Sequence, residues 1–238
     1  MLGKRIVTGR KNRDEGEKPF WISFADLMTA LMVLFLLVMS VALLAVTKNV
    51  SEAERRKAAR EEEIGELLTQ LENVAIQYPG MTINRERNVI DFGNRARFET
   101  GSSQLTAEQA RYLRGFLPEV LQLAQRQPGK RWLKRIVVEG FADQRGDYLM
   151  NLNLSLQRSQ RVLCVLLAVV PGKENPLSDE DKEKILELFL VGGYSFNSAR
   201  KSLEESRRIE LRLEYYEHDE PRVKKDDIPR GNFGVCRI

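Results

Sequence analysis

An uninterrupted apolar run near the N-terminus is the feature that most constrains this chain. Residues 20–46 contain 23 apolar side chains among 27 residues. As an α-helix this run would extend about 40 Å, which exceeds the ~30 Å thickness of a bilayer hydrocarbon core. A cleaved signal peptide would have an apolar region of only about 7–15 residues. The run therefore predicts a single uncleaved transmembrane helix over residues 20–47.

Basic residues on both sides of this span leave its orientation undecided. Six Lys or Arg side chains precede it and five follow it closely: Lys4, Arg5, Arg10, Lys11, Arg13 and Lys18 before, and Lys48, Arg55, Arg56, Lys57 and Arg60 after. The positive-inside rule compares such counts, and these two differ too little to decide. Six basic and three acidic side chains give residues 1–19 a charge of +3, out of +4 for the chain. We therefore expect a basic segment beside the membrane and no direct binding of nucleic acid.

The chain has few residues suited to catalysis or metal binding. It has one histidine, His218 in a polar C-terminal segment, and two cysteines, Cys164 and Cys236. Two cysteines are too few for a cysteine-based zinc site, and the sequence has no glycine-rich phosphate-binding loop. We therefore expect neither an enzyme nor a metal or cofactor centre.

One acid, Asp26, interrupts the apolar run. A charged carboxylate within a span costs about 2.5–3.5 kcal/mol on insertion scales, so such residues commonly have a function. Ser23 and Ala30 share its helical face, where small and polar residues suit close packing of a second membrane helix. We interpret Asp26 as an ion-carrying carboxylate. Because one helix cannot enclose an ion path, this interpretation requires other membrane subunits, a homodimer, or both. Alternatively, Asp26 caps a span that runs over Leu27–Val46.

Residues 21–32 resemble the transmembrane segment of MotB-family stator subunits. The resemblance rests on a tryptophan, an Ala-Asp pair and a Met-Thr-Ala run at the family's spacing: Trp21, Ala25, Asp26, Met28, Thr29 and Ala30. It implies that Asp26 binds the transported ion, a proton or alternatively sodium, with Ser23, Thr29 and Ala30 beside the ion path. It also implies MotA-like multi-span partner subunits and a homodimer of this chain.

Residues 48–80 are predicted to form a helical connector. Apolar residues recur there at three- and four-residue steps and give one apolar helix face: Ile64, Leu67, Leu68, Leu71, Val74 and Ala75. Acidic and basic side chains alternate elsewhere, which is typical of a solvated helix. The apolar face is expected either to pack on the following domain or to form a short dimeric coiled coil.

Residues 81–216 show the strand and helix patterns of an α+β domain. Strands are predicted at 89–92, 135–141, 188–191 and 209–215, and helices at 106–126, 152–170 and 179–187. Thr106 with Gln109 predicts a capping box, and Ser178 predicts the cap of the third helix. The order β-α-β-α-β-β suits a mixed sheet with helices on one face. Residues 217–238 are expected to form a C-terminal tail.

Residues 140–159 resemble the signature of the OmpA-like peptidoglycan-binding domain. Seven residues match the family pattern in register: Gly140, Asp143, Gly146, Asn151, Leu154, Ser155 and Arg158. The resemblance extends over about residues 85–215. It implies that Asp143 holds the ammonium group and Arg158 the carboxylate of cell-wall diaminopimelate, with Asn151 and Leu154 at the rim.

Two observations leave this interpretation open. Four residues depart from the family pattern, where it has His, Thr, Ala and Asn: Phe141, Ala142, Ser159 and Ser206. In addition, an Asp143–Arg158 pair suits a purely structural salt bridge.

A wall-binding domain must lie outside the inner membrane. The resemblance therefore implies that residues 1–19 are cytoplasmic and that residues 48–238 are periplasmic. Because the periplasm permits disulfides, Cys164 and Cys236 either form a bond or remain free thiols, and both alternatives stay open.

The two resemblances together describe the stationary, wall-anchored subunit of an ion-driven motor. The whole chain resembles the ZorB family, the MotB-like subunits of Zorya anti-phage systems. That resemblance implies a ZorA-like partner and a role in defence. One alternative is a flagellar-type MotB stator subunit. Another is a passive envelope tether without ion flux, for which an acid within the span would be unnecessary.

Overall fold

The structure is a computed structural model that describes residues 18–168 and 177–222, with side chains from Trp21 onward. The chain divides into two compact units, Met1–Arg56 and Lys57–Ile238, and each is described by itself. Helix α1 covers Lys18–Ala75 and contributes residues to both units.

The first unit consists of the N-terminal part of α1. Among the described residues, α1 alone is long and apolar enough to cross a membrane, and its apolar side chains up to Val50 are exposed in the single chain. Two hydroxyls in this part bond to carbonyls of their own helix: Ser40 Oγ to Leu36 O at 2.7 Å and Thr47 Oγ1 to Leu43 O at 3.0 Å. These bonds leave no hydroxyl donor of either side chain unpaired in hydrocarbon.

Asp26 lies inside α1, because the helix already includes Lys18 at least two turns earlier. The part of the alternative in which Asp26 is a helix N-cap is therefore wrong, whereas a membrane span over Leu27–Val46 stays a prediction. The capping position needs a residue with non-helical backbone at the helix start, and Asp26 has helical neighbours on both sides.

The second unit begins with the rest of α1, which packs on the domain. Leu67, Leu68 and Leu71 are buried in the hydrophobic core. Arg60 Nε donates to the carbonyl of Tyr216 at 2.9 Å, so the helix also contacts the chain that follows the last strand. These contacts confirm the prediction that the apolar face of the connector packs on the following domain. They do not agree with the alternative, in which that face forms a dimeric coiled coil.

Five strands form one mixed sheet within the described residues: β1 Thr82–Asn84, β2 Val89–Asp91, β3 Leu133–Gly140, β4 Phe189–Gly193 and β5 Ile209–Tyr215. Their order across the sheet is β1-β2-β5-β3-β4. β3 and β4 are parallel, and the other neighbouring pairs are antiparallel. The mixed sheet was predicted, whereas β1, which pairs only with β2, was missed.

Three of the remaining helices were predicted and have shifted ends: α2 Ala107–Gln125, α4 Tyr148–Leu167 and α5 Asp179–Leu188. Two short helices, α3 Gly129–Trp132 and α6 Leu203–Ser206, were missed. Both bonds of the capping box between Thr106 and Gln109 are present, and Ser178 accepts a bond from the N–H of Asp181. α4 begins four residues earlier than predicted, because Asp147 caps it. α4 also ends before the predicted residue 170, because its last helical residue is Leu167 and Ala168 has an extended backbone.

The two faces of the sheet differ in chemistry. Alternate residues of the central strands, including Ile136, Val138 and Leu211, join the helices in the core. The residues between them point to the other face, where Glu139 and Glu210 are fully buried. Glu139 accepts bonds from Arg212, and Glu210 accepts bonds from Arg87, Arg200 and Arg208. Because burying an unpaired charge is costly, these arginines are needed to hold both acids on that face.

Candidate functional site

The candidate wall-binding site lies where β3 ends and α4 begins. Gly140 closes β3 with its Cα so near α4 that a Cβ would overlap the carbonyl oxygen of Ser155. The loop then turns at Gly146, whose φ of 90° favours glycine. Asp147 accepts a bond from the N–H of Met150 at 2.8 Å and starts α4. The motif glycines are therefore required for a close approach and for a turn.

The four residues predicted from the OmpA-like motif all line one pocket of about 200 Å³. Asp143 comes from the loop, and Asn151, Leu154 and Arg158 come from successive turns of α4. The pocket has five further lining residues that motif reasoning did not assign to it: Thr100, Gly101, Arg145, Gly146 and Met150. Gly146 is one of the seven matched residues, so only its position in the pocket wall was missed.

Arg158 lies at the bottom of the pocket and is fully buried. Its guanidinium donates to three backbone carbonyls: Ser102 O at 2.9 Å, Phe141 O at 2.7 Å and Glu99 O at 3.1 Å. It also stacks over the ring of Phe98 at 5.0 Å. Burial lowers the pKa of Arg158 to about 10, against the opposing effect of the Asp143 charge. Arg158 therefore remains charged at neutral pH, and three of its five N–H donors bond to backbone carbonyls.

Asp143 does not pair with Arg158 but with two other arginines. Arg145 Nη2 lies 2.7 Å and Arg207 Nη1 lies 3.1 Å from its Oδ2. Burial raises the pKa of Asp143, but hydrogen bonds from Arg145 and Arg207 and the charge of Arg145 outweigh burial and hold that pKa at about 2. The structural Asp143–Arg158 salt bridge is therefore wrong as an alternative, because the Arg158 donors are directed to carbonyls instead.

Asn151 and Leu154 shape the same side of the pocket. Asn151 is buried, and its Nδ2 donates to the carbonyl of Arg145 at 2.8 Å, which ties the loop to α4. Leu154 is half-buried and contributes an apolar wall one turn before Arg158.

Three of the four departures from the family pattern make side-chain contacts elsewhere in the domain. Ser159 Oγ donates to the carbonyl of Gly192 at 2.9 Å and joins α4 to β4. Phe141 is buried, stacks on Tyr194 at 5.5 Å and lies under Arg208. Ser206 Oγ donates to the Ser202 carbonyl at 2.9 Å. Among the described residues that line the pocket, none is a departing position, since Ala142 also lies outside the lining.

The predicted ion-binding segment lies in the first unit. Asp26, Ser23, Thr29 and Ala30 are all exposed on α1 in the single chain. Thr29 Oγ1 donates to the backbone carbonyl of Asp26 at 2.8 Å, not to its carboxylate.

The two cysteines, expected either to form a bond or to remain free thiols, lie in different parts of the chain. Cys164 lies on α4, and Cys236 lies outside the described residues. Cys164 is disulfide-bonded, and its pairing with Cys236, the other cysteine of the sequence, stays a prediction.

Family profiles match two segments of the chain. Residues 7–59 match the profile described as membrane MotB of the proton-channel complex MotA/MotB, and residues 97–171 match the OmpA family. Over the full length, the chain is 41% identical to the Zorya protein ZorB of Escherichia coli O139:H28. That alignment covers 100% of this chain and 98% of the relative.

Three solved structures show more distant similarity. The periplasmic domain of Helicobacter pylori MotB is 19% identical, covers 61% of this chain and 85% of its own, and has a TM-score of 0.40. The cell wall anchor of the Pseudomonas aeruginosa type VI secretion system is 16% identical. That match covers 63% of this chain and 97% of the anchor, with a TM-score of 0.40. The OmpA-like domain of Francisella tularensis FopA1 is 18% identical. That match covers 58% of this chain and 82% of the FopA1 domain, with a TM-score of 0.35.

Proposed function

The chain belongs to the ZorB family of MotB-like proteins with an OmpA-type domain, and from this premise we propose that it is the wall-anchored stator subunit of an ion-driven membrane motor. The family is one of stator and anchor proteins, not of enzymes. One observation carries the proposal. The four motif residues Asp143, Asn151, Leu154 and Arg158 line a single pocket, in a chain whose apolar span contains one acid.

The pocket chemistry supports binding of peptidoglycan through diaminopimelate. That residue has an ammonium group and a carboxylate on one carbon. The carboxylate would bind the two N–H donors of Arg158 that are not directed to backbone carbonyls. The ammonium group would bind the ionised carboxylate of Asp143, and Leu154 would contact the aliphatic chain. The departures from the family pattern lie outside this lining, so they do not oppose the proposal.

The membrane segment supports ion transport with partner subunits. Asp26 is the ion-carrying residue in this proposal, and a proton is the transported ion, with sodium as the alternative. Ser23, Thr29 and Ala30 lie beside the path. Because a single helix cannot enclose such a path, MotA-like multi-span subunits of the ZorA type, and a second copy of this chain, would provide the other walls. The relative's name assigns that protein to a Zorya system, and we extend the role in anti-phage defence to this chain.

Wall binding also gives the chain an orientation in the inner membrane. The domain must reach the peptidoglycan, so residues 48–238 are periplasmic in this proposal and residues 1–19 are cytoplasmic. The basic side chains among residues 1–19 are compatible with retention on the cytoplasmic side.

The ion-carrying role is tested by Asp26→Asn, with the chain co-expressed with its MotA-like partner. Ser40→Ala is the matched control, because it removes a polar group of the same helix that bonds only to its own backbone. We expect Asp26→Asn to abolish proton flux into vesicles and protection against phage, and Ser40→Ala to retain both. Flux that persists in a normally expressed Asp26→Asn variant refutes the ion-carrying role. Wall binding without any flux in the unmodified complex indicates a passive tether.

Wall binding is tested by sedimentation of the full-length protein with isolated sacculi. Leu154 lines the pocket, whereas Leu156 lies on the same helix with 42% of its surface exposed and outside the lining. We expect Leu154→Ala to reduce co-sedimentation and Leu156→Ala to leave it unchanged. Equal binding by both variants and by Asp143→Asn would refute this site as the wall-binding pocket.

A further inference from the structure

Arg145 contacts the acid that the proposed wall ligand would need. Its backbone N–H and its Nε donate to Oδ1 of Asp143 at 3.1 and 3.3 Å, and its Nη2 donates to Oδ2 at 2.7 Å. Arg207 Nη1 donates to the same Oδ2 at 3.1 Å. Asp143 therefore accepts four hydrogen bonds from two residues of its own chain.

Four hydrogen bonds fill the acceptor capacity of a carboxylate. Two ionised oxygens offer about four lone-pair sites, and each oxygen of Asp143 already accepts two bonds. An ammonium group of a ligand must therefore displace one of these donors before it can bind Asp143.

The two arginines differ in how easily a ligand can displace them from Asp143. The side chain of Arg207 is 12% exposed, and its Nε also donates to the carbonyl of Phe98 at 2.9 Å. The side chain of Arg145 is 50% exposed, and its other contact is the hydroxyl of Thr100 at the pocket wall, at 2.9 Å. Rotation of Arg145 into solvent frees one site on each oxygen of Asp143 and leaves its backbone N–H bond in place. Arg145 is therefore the displaceable donor.

We propose that Arg145 is an internal competitor that occupies the ammonium position on Asp143 and lowers the affinity of the pocket for every ligand that binds through an ammonium group. This inference rests on the proposed wall binding and adds a residue that sets its strength. The affinity for a cationic ligand therefore depends on how well its own contacts with the pocket offset the contacts that Arg145 loses. A ligand with a carboxylate for Arg158 has a second contact that offsets the competition, and a simple amine does not.

The test measures calorimetric binding of two probes to the full-length protein in detergent. The probes are meso-diaminopimelate and pentane-1,5-diamine, which has the same number of carbons between its two amines and lacks both carboxylates. A half-exposed ion pair contributes up to about 1 kcal/mol, so Arg145→Gln should tighten binding of both probes by the same factor, about fivefold. Arg145→Lys retains the charge opposite Asp143 and should stay close to the unmodified protein.

Two controls separate competition from other effects of the substitution. Arg95→Gln removes a surface arginine of matched exposure, 48%, that pairs with Glu108 outside the pocket, and it should leave both affinities unchanged. In an Asp143→Asn background, Arg145→Gln should give no gain, because the contested carboxylate is absent.

The outcomes distinguish this inference from the proposed function. Weaker or unchanged binding of meso-diaminopimelate by Arg145→Gln overturns the competitor while wall binding stands. Loss confined to meso-diaminopimelate would instead identify Arg145 as a contact of the ligand carboxylate, and it also overturns the inference. If neither the unmodified protein nor Arg145→Gln binds meso-diaminopimelate, both proposals fail. Binding that becomes detectable only in Arg145→Gln supports both.

Discussion

The paired carboxylate of Asp143 makes a measurable contribution to stability, and Asp143→Asn removes it. The pKa of Asp143 is about 2 in the folded chain, compared with 3.8 for the unperturbed group. A difference of about two pH units corresponds to about 2.5 kcal/mol, and solvent screening at half-exposed Arg145 reduces this to about 2 kcal/mol. We therefore expect Asp143→Asn to lower the free energy of unfolding by about 2 kcal/mol near neutral pH.

The pH dependence of this effect has a definite sign. Because the pKa of Asp143 is lower in the folded state than in the unfolded state, its contribution is present above about pH 4 and is lost as the pH falls towards 2. The difference between the unmodified protein and Asp143→Asn should therefore be about 2 kcal/mol near pH 7 and less than about 1 kcal/mol near pH 2.5.

Urea unfolding of the full-length protein in a nonionic detergent measures this difference. Trp132 is buried in the domain, so its fluorescence reports on the domain once Trp21 in the span is replaced by Phe. Glu108→Gln is the control, because Glu108 is 76% exposed and pairs with an exposed arginine, and it should change the free energy of unfolding by less than about 0.5 kcal/mol. A difference for Asp143→Asn that is absent at neutral pH, or constant down to pH 2.5, refutes the reasoning.

Three further substitutions are expected to change the free energy of unfolding in the same urea assay. Arg158→Met leaves three carbonyls without their buried donor and should destabilise by roughly 3–5 kcal/mol; a change below about 1 kcal/mol would contradict its structural role. Gly140→Ala forces a Cβ against the Ser155 carbonyl and should destabilise by about 2–3 kcal/mol, whereas Gly65→Ala, on an open helix surface, should stabilise by up to about 1 kcal/mol; equal effects would refute the close approach. Thr106→Ala removes the helix cap and should destabilise by about 1 kcal/mol, while Thr106→Ser should retain most of the stability.

Local sequence patterns predicted most of the fold and four of the residues that line the pocket. The spacing of apolar residues predicted the long helix and the leucine face that packs in the core. The resemblance of residues 140–159 to the OmpA-like motif predicted four pocket residues. Three of them lie on successive turns of one helix, which places them on one side of that helix. The capping box was predictable for the same reason, since it involves residues three positions apart.

Features that depend on long-range geometry were missed. β1 has only three residues, and their composition does not indicate a strand. It is a strand because it pairs with β2. The contact of Arg207 with Asp143 joins residues 64 positions apart, for which spacing along the chain offers no signal. Glu139 and Glu210 alternate with apolar residues as solvent-facing positions do, yet arginines from other segments bury them. In each case a partner outside the local segment determines the result.

The packing of residues 57–75 on the domain has a mechanical consequence. A tether that ran freely between membrane and wall would stretch under load before it transmitted force. Here Leu67, Leu68 and Leu71 are buried in the core, and Arg60 bonds to the carbonyl of Tyr216. A force applied at residue 57 is therefore distributed over several side-chain contacts. It reaches the sheet without first extending a free segment of chain. In a stator, such low compliance lets each power stroke act on the wall anchor instead of extending the linker.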